Sequence, residues 1–451
     1  MAVFALVDAN SFYASCEITF NPALEGRPVV VLSNNDGCIV AANKIAKDLA
    51  KQYSQNYGRG GYQSAKPTNM MFQPYFKVAK FLERFNTAVF SSNYELYGDM
   101  SARMHRMLGE FASHQEIYSI DESFLDFSGM QKWNLTEYAQ TIKQTIKQTI
   151  QQGLGLPVAV GIGHSKTLAK LANHLAKKMD GYNGVLDLTA LSEPIVNNLL
   201  SRIQVGDVWG VGRKLSEQLI SMKINSALDL KQADLKSIRK RFSVVMERTV
   251  LELNGQACLA LEEVPPAKKQ IISSKSFGQS VSSLDYLEQA VATYTTRASE
   301  KLRAQGSVCQ YISVAIRTNP FNERESFYAN HHTYGLVYPT DSTILLVKMA
   351  KRALKRIYQP DLNYHKAAIT LSDIQPKGAM QLDVFAQDPK FSANPKSDAL
   401  MAVMDKINQT MGRGSVQLAA EGLHHKAHWE MRRNHCSPRY TTRIDEILTV
   451  N

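Results

Sequence analysis

Two rhythms of apolar residues run along this chain. Unbroken apolar runs mark buried strands: Val3-Phe4-Ala5-Leu6-Val7, residues 28–32 and residues 157–162. Apolar residues every three or four positions mark amphipathic helices. Residues 94–111 place Leu96, Met100, Met104, Met107 and Leu108 near one face; residues 134–152 do the same with Leu135, Tyr138, Ile142, Ile146 and Ile150. Residues 167–179 bury Leu168, Leu171, Ala172 and Leu175. Between the first two helices, residues 115–120 and 123–127 are rich in aromatic and branched side chains and read as a hairpin. Leaving out the segment between Tyr13 and Phe90, the order is strand, helix, strand, strand, helix, strand, that of a ferredoxin-like split βαβ sheet.

In such a sheet the first strand lies beside the central hairpin. The first strand ends in Asp8, and the hairpin turn holds Asp121 and Glu122. An adjacent pair of acids with no local basic partner is ordinarily solvated. Asp8 by itself equally suits a cap for a helix starting near Ser11. Brought together by the topology, the three carboxylates form a site for a hard divalent cation.

The remaining segments suggest further domains. Residues 38–42 follow an Asn34-Asn35-Asp36-Gly37 turn, and a helix over 43–51 exposes Lys44, Lys47 and Lys51. Residues 51–69 hold Gly58, Gly60, Gly61 and Pro67, lack periodicity, and read as a flexible insertion. Gly161-Ile162-Gly163-His164-Ser165-Lys166-Thr167 lacks phosphate-loop spacing and reads as a strand end followed by a helix capped by Ser165. That helix is expected to expose Lys166, Lys170, Lys177 and Lys178, as a solvated face or as a phosphate clamp near the acids. Short helices follow from residue 185. Gly210-Val211-Gly212 ahead of Arg213 and Lys214 matches a helix-hairpin-helix, whose backbone N–H groups approach a DNA phosphate; a plain helix end is the alternative. Residues 262–272, with Pro265 and Pro266, read as a linker, and residues 273–376 as an α+β module. One helix of that module carries Lys348, Lys351, Arg352, Lys355 and Arg356, suited to a nucleic-acid backbone. In the C-terminal extension, residues 377–451, Gln381-Leu382-Asp383-Val384-Phe385 is either a local tuck or a docking peptide. His424, His425, His428, His435 and Cys436 fit no standard zinc spacing.

Composition narrows the function. With 451 residues, 44% hydrophobic and 21% charged, the chain is globular and multidomain. A formal net charge of +11 points to a polyanionic partner, nucleic acid or an acidic membrane face. Five dispersed cysteines without a Cys-x-x-Cys argue against a disulfide framework and for a reducing compartment. No apolar run reaches transmembrane length and no secretory leader is evident, so a soluble, cytoplasmic protein is expected.

Several stretches carry a family resemblance: residues 8–17 (DANSFYASCE), 31–38 (VLSNNDGC), 90–97 (FSSNYELY), 118–122 (YSIDE), 166–174 (KTLAKLANH), 207–210 (DVWG) and 437–443 (SPRYTTR). Together they resemble the Y-family DNA polymerases, and among these the UmuC type. The resemblance implies an α+β right-hand polymerase. Its palm would be residues 1–12 and 91–184, its fingers 13–90, its helical thumb 185–261 and its little finger 273–376. It implies two-metal nucleotidyl transfer with two Mg²⁺ ions on Asp8, Asp121, Glu122 and the Ala9 carbonyl. Phe12 and Tyr13 would contact the nucleotide, with Tyr13 as a steric gate against a ribose 2′-hydroxyl, and Lys47 and Lys177 would hold the triphosphate. Lys47 stands where many relatives have Arg, and Lys44 where many have Tyr. The implied partners are primer-template DNA, deoxynucleoside triphosphates, a sliding clamp bound through Gln381, Leu382, Asp383, Val384 and Phe385, a UmuD-type accessory dimer and RecA. The implied role is error-prone translesion synthesis in the SOS response. A non-catalytic scaffold of the same family would lack the acids, and a palm-type nucleotide cyclase would carry a Gly-Gly-Asp-Glu-Phe stretch that is absent here.

Overall fold

The computed structural model describes residues 2–57, 70–130, 132–148, 155–264, 266–378, 395–412, 414–422 and 429–446. The chain divides into two units, Met1–Pro265 with Asn434–Asn451, and Pro266–Arg433. The stretch expected as one C-terminal extension is therefore split between them, because its last residues pack on the N-terminal unit.

The first unit opens with β1 (Phe4–Ala9) and α1 (Phe12–Phe20). β2 (Val29–Leu32), apolar and wholly buried, pairs antiparallel with β3 (Ile39–Ala42). Then come α2 (Lys44–Tyr57), α3 (Tyr75–Arg84) and β4 (Ala88–Ser91), which runs parallel to β2. These strands form a small sheet of order β3-β2-β4, and Ala46, Ala50 and Leu82 from the two helices pack on Val30 and Leu32. The helix predicted to stop at Lys51 continues to Tyr57, since nothing before Gly58 breaks it. Residues 58–69 of the expected insertion lie outside the described residues.

α4 (Tyr94–Leu108) is capped by Asn93, whose side chain accepts from the Leu96 N–H at 3.3 Å. The hairpin β5 (Gln115–Ile117) and β6 (Glu122–Asp126) follows, then α5 (Leu135–Gln148), β7 (Val158–Gly163), α6 (Lys166–Lys178) and β8 (Val185–Asp187). The five strands are ordered β5-β6-β1-β7-β8, so the first strand does lie beside the hairpin. Strand alternation assigns the two faces. Ala5, Val7 and Ala9 face a core built with Leu96, Met100, Met104, Ile142 and Ile146. Phe4, Leu6 and Phe124 face the other way and pack with Ala169 of α6. Asp8 and Glu122 continue this second face by the same period of two.

α6 lies close on the sheet because β7 carries glycines. A Cβ on Gly161 would sit 2.1 Å from the Asn173 nitrogen and 2.4 Å from the Ala169 oxygen. Ser165 caps α6 as expected, accepting from the Leu168 N–H at 3.2 Å. Beyond β8, α7 (Glu193–Ser201), α8 (Arg213–Ser221), α9 (Ala227–Lys231), α10 (Leu235–Arg241) and α11 (Val244–Leu253) enclose Leu199, Leu219, Leu230, Ile238 and Val250.

The second unit runs β9 (Gln270–Val281), α12 (Leu284–Ala304), β10 (Ser307–Thr318), β11 (Ala329–Thr340), α13 (Thr343–Ile357) and β12 (Tyr364–Pro376). Its antiparallel sheet has the order β11-β10-β12-β9. Leu287, Val291, Leu346 and Leu354 of the two helices pack with Ile312, Val314, Ile369 and Leu371. α14 (Pro395–Thr410) is tied to α12 by Arg303, which grips Asp405 through two hydrogen bonds of 2.6 and 2.8 Å. Among the described residues no helix is long and apolar enough to cross a membrane.

Candidate functional site

The three acids meet at one end of the β1–β6 pair. Asp8 stands opposite Glu122 in the strand register, and the Ala9 N–H donates to the Asp121 carbonyl at 2.9 Å. Asp8 lies inside β1 and does not cap α1, whose cap position is Ser11. The hairpin turn is held rigidly. The Tyr118 and Ser119 N–H groups both donate to the Glu122 carbonyl at 3.1 Å. The Ser119 hydroxyl donates to Asp121 Oδ1 at 2.6 Å and accepts from the Glu122 N–H at 3.0 Å. Behind the turn, buried His105 places Nε2 3.0 Å from the Ser119 carbonyl.

These acids do have basic partners, contrary to the local reading of the turn. Lys177 pairs with Asp8, and Lys170 pairs with Glu122 at 2.9 and 3.1 Å. Both lysines come from α6, on the face that Asp8 and Glu122 share. Burial pushes the Asp8 carboxyl up to about 6; the Lys177 ammonium pulls the other way, and the Glu122 and Asp121 charges add to the rise. Lys170 also lies over three rings, 4.4 Å from the Tyr118 centroid, 5.4 Å from Trp209 and 6.0 Å from Phe124. The Trp209 indole N–H donates to the Tyr118 hydroxyl at 3.1 Å. A cleft of about 190 Å³ opens here, lined by Asp8, Glu122, Lys170, Lys177, His174 and Trp209 among others.

Lys166 departs from expectation. It is 3% exposed, not solvated, and pairs with buried Glu116 while donating to the Ala260 carbonyl at 2.6 Å. Lys166, Lys170, Asn173 and Lys177 fall at i, i+4, i+7 and i+11, one stripe of a helix. The spacing shows only that these polar residues share a face. Asn173 is buried within it and donates to the Ala159 and Leu6 carbonyls at 2.8 and 3.3 Å. Such a polar stripe suits either a solvated face or a clamp near the acids, and nothing local reveals that it lies against a carboxylate-tipped sheet.

Phe12 and Tyr13 begin α1. Phe12 is buried; Tyr13 is half-buried and stacks on Tyr97, with ring centroids 4.5 Å apart and planes 15° apart. Tyr94 meets Tyr13 edge-on at 6.1 Å. Burial pushes the Tyr13 hydroxyl up to about 12. Lys47 reaches the Ser11 hydroxyl at 2.9 Å, and burial with the nearby Lys177 charge holds its ammonium below the ordinary lysine range. Lys44 points elsewhere, 3.9 Å from Asp180 on an exposed surface. In the segment expected as a helix-hairpin-helix, a 3-10 turn over Val205–Asp207 precedes the glycines, Gly210 has φ +86°, Gly212 is the N-cap of α8, and Arg213 and Lys214 are exposed at its first turn. Gln381, Leu382, Asp383, Val384 and Phe385 lie outside the described residues, as do His424, His425 and His428.

Residues 7–52 and 63–174 match the model of the impB/mucB/samB family, and residues 268–384 match the C-terminal domain of the same family. Protein UmuC of Salmonella typhimurium strain LT2 is 42% identical over 450 residues, covering 99% of this chain and all of that protein. The chain belongs to the impB/mucB/samB family. Protein MucB of Salmonella typhimurium is 43% identical over 443 residues, 98% of this chain and 97% of that one. DNA polymerase IV 2 of Bacillus subtilis strain 168 is 26% identical, covering 93% of this chain and 94% of that protein. Among solved structures, a Y-family DNA polymerase chimera, Dbh-Dpo4(243-245)-Dbh, superposes with a TM-score of 0.62 at 19% identity, covering 83% of this chain and 99% of the other. The fold is thus that of a Y-family DNA polymerase. A further match, over residues 398–450, is to a domain of unknown function.

Proposed function

We propose that this protein is a template-directed DNA polymerase of the Y family that copies past damaged bases in the SOS response. The observation that carries the reading is the carboxylate-tipped β1–β6 pair facing a lysine-lined cleft, with a stacked tyrosine at the start of α1. In this reading the five-stranded sheet is the palm, the three-stranded sheet belongs to the fingers, the short helices form the thumb, and the second unit is the little finger.

The donor set fits divalent cations. Asp8, Asp121, Glu122 and the Ala9 carbonyl supply only oxygens, the ligands a hard cation takes. Among the described residues no three acidic, histidine or cysteine side chains are gathered as a metal-holding group; Asp8 and Glu122 instead rest on ammonium groups. The crowded, partly buried acids require positive charge, and lysines supply it here. Two Mg²⁺ ions held by these residues would activate the primer 3′-hydroxyl and neutralise charge on the phosphoryl and pyrophosphate oxygens. Lys47 and Lys177 bind the triphosphate as point charges. The Tyr13 ring, backed by Tyr97, excludes a ribose 2′-hydroxyl by contact. The α8 N-terminus, with the Gly210 and Gly212 backbone and Arg213 and Lys214, holds a DNA phosphate.

The sliding clamp docks on residues 381–385, and a UmuD-type dimer and RecA act as accessory partners. Primer extension on undamaged and abasic templates with Mg²⁺ tests the core of this reading. Asp121→Ala lowers incorporation by at least roughly 10²–10³-fold, the scale for removing one preorganised electrostatic group, while primer-template affinity in a gel-shift assay stays near that of the parent. Wild-type extension by this variant would overturn the assignment.

A further inference from the structure

The last described residues, 434–446, form a strap across the first unit, and the strap leads to the gate. The Asn434 N–H donates to Asp36 Oδ2 at 2.8 Å. His435 and Ser91 exchange two bonds: the Ser91 N–H donates to the His435 carbonyl at 2.9 Å, and the His435 N–H donates to the Ser91 hydroxyl at 3.0 Å. Tyr440 stacks on Phe20 of α1 at 4.9 Å and 15°. Arg439 pairs with Glu446 and, at 3.0 Å, with Glu95 in the first turn of α4.

Between these anchors the strap enters the core. Ser437 is 8% exposed, and its hydroxyl donates to Glu17 Oε1 at 3.0 Å. The Tyr97 hydroxyl donates to the same oxygen at 2.6 Å. Glu17 is 1% exposed and Tyr97 fully buried. Asn93 caps α4 with its side-chain oxygen and, with its amide nitrogen, donates to the Ser437 carbonyl at 3.0 Å, the Ser437 hydroxyl at 3.1 Å and the Pro438 carbonyl at 3.2 Å. One turn of α4 therefore carries two of the rings that touch Tyr13. The strap reaches that turn at its cap, where Asn93 donates to Ser437 and Pro438, and at the Tyr97 hydroxyl, where Ser437 shares the Glu17 carboxylate. A buried network of this kind specifies one arrangement only when every member is satisfied.

We propose that Ser437, with Pro438, is a positioning element for sugar selection: through Asn93, Glu17 and Tyr97 it fixes the ring platform that holds Tyr13 against the sugar. This rests on the reading of Tyr13 as the gate. It also gives a structural task to the end of the segment that matches a domain of unknown function. Ser437 touches neither Tyr13 nor the acids in any hydrogen bond, so its effect falls on discrimination and not on the chemistry.

The test compares incorporation of deoxynucleotides and ribonucleotides by the full chain on primer-template DNA, as the ratio of kcat/KM values. Ser437→Ala reduces the ratio roughly three- to tenfold, the size of effect a small displacement of a positioning residue produces, and leaves kcat for the correct deoxynucleotide near the parent value. Ser437→Thr, which keeps the hydroxyl, restores the ratio. Tyr13→Ala collapses the ratio, and in that background Ser437→Ala adds nothing further. Collapse in Tyr13→Ala with no change in Ser437→Ala would overturn the strap's role and leave the gate standing. An equal loss from Ser437→Ala in both backgrounds would show an effect that bypasses the ring, which also overturns the proposal. Unchanged discrimination in Tyr13→Ala would remove the gate and the proposal with it. Thermal unfolding of each variant identifies a loss that is only misfolding.

Discussion

α6 and α13 are both amphipathic helices edged with lysine, and in sequence they read alike. Their lysines end in different places. On α6, Lys166 is buried against Glu116, while Lys170 and Lys177 meet Glu122 and Asp8 at the cleft. On α13, Lys351 and Lys355 both reach Glu288 of α12, at 2.6 and 3.3 Å, from partly and largely exposed positions. The difference arises from what lies beneath. α6 crosses a sheet whose α6-facing positions end in carboxylates, and glycines in β7 let it come close. α13 also lies on a sheet, but the residues it packs with there are apolar, Ile312, Val314 and Leu336 among them, and its lysines reach only Glu288 on the neighbouring helix. Basic side chains on a helix edge thus become buried struts, partners of cleft carboxylates or exposed flanking pairs according to the neighbour, and not according to their spacing.

Breaking the most buried pair gives the largest effect. Lys166→Met leaves Glu116 buried without its ammonium and costs about 3–5 kcal/mol, read as a fall in the denaturation midpoint. Replacing both partners with apolar residues of similar volume recovers most of that loss; no recovery would mean that the pair does more than neutralise itself.

Glu17 sharpens the contrast, because it is a buried acid of the same unit held by hydroxyls instead of an ammonium. Burial pushes it up to about 7, against the lowering effect of the Tyr97 and Ser437 hydroxyls. Its folded-state value lies above its unfolded one, so the native chain binds the proton more tightly. This contribution to stability is full below about pH 4.5 and is lost as pH rises through about 7, by about 3 kcal/mol in all. Glu17→Gln should remove that component from the stability–pH profile, and an unchanged profile would show that Glu17 is not its source.

A cleft lysine separates function from stability. If Lys177 holds the triphosphate as proposed, Lys177→Met raises the KM for the incoming nucleotide about tenfold to a hundredfold, the equivalent of about 1.5–3 kcal/mol, without the loss of midpoint expected for Lys166→Met. The smallest effect belongs to α13. Lys351→Ala with Lys355→Ala changes stability by no more than about 1 kcal/mol, as partly exposed pairs do. A larger loss would mean that Glu288 is held as tightly as Glu116, and the contrast between the helices would fail.

Much of this arrangement is legible in the residues alone. The apolar runs and their order give the sheet and place Asp8 beside the Asp121–Glu122 turn, because strand and helix periods are set by backbone geometry. The glycine-bounded turn before α8 and the cap at Ser165 follow from local chemistry in the same way. Helix α2 outlasts its predicted end because composition dominated by amides does not by itself stop a helix.

What only the tertiary structure decides is where long or distant side chains end up. Lys166 looks like any solvated lysine until the β5 strand brings Glu116 beneath it. Ser437 carries no local sign that it meets Glu17 and Asn93, hundreds of positions earlier in the chain. Period and propensity act over a few residues. The pairing of buried polar groups is set by whichever surfaces the fold brings together, since each must find a partner once water is gone.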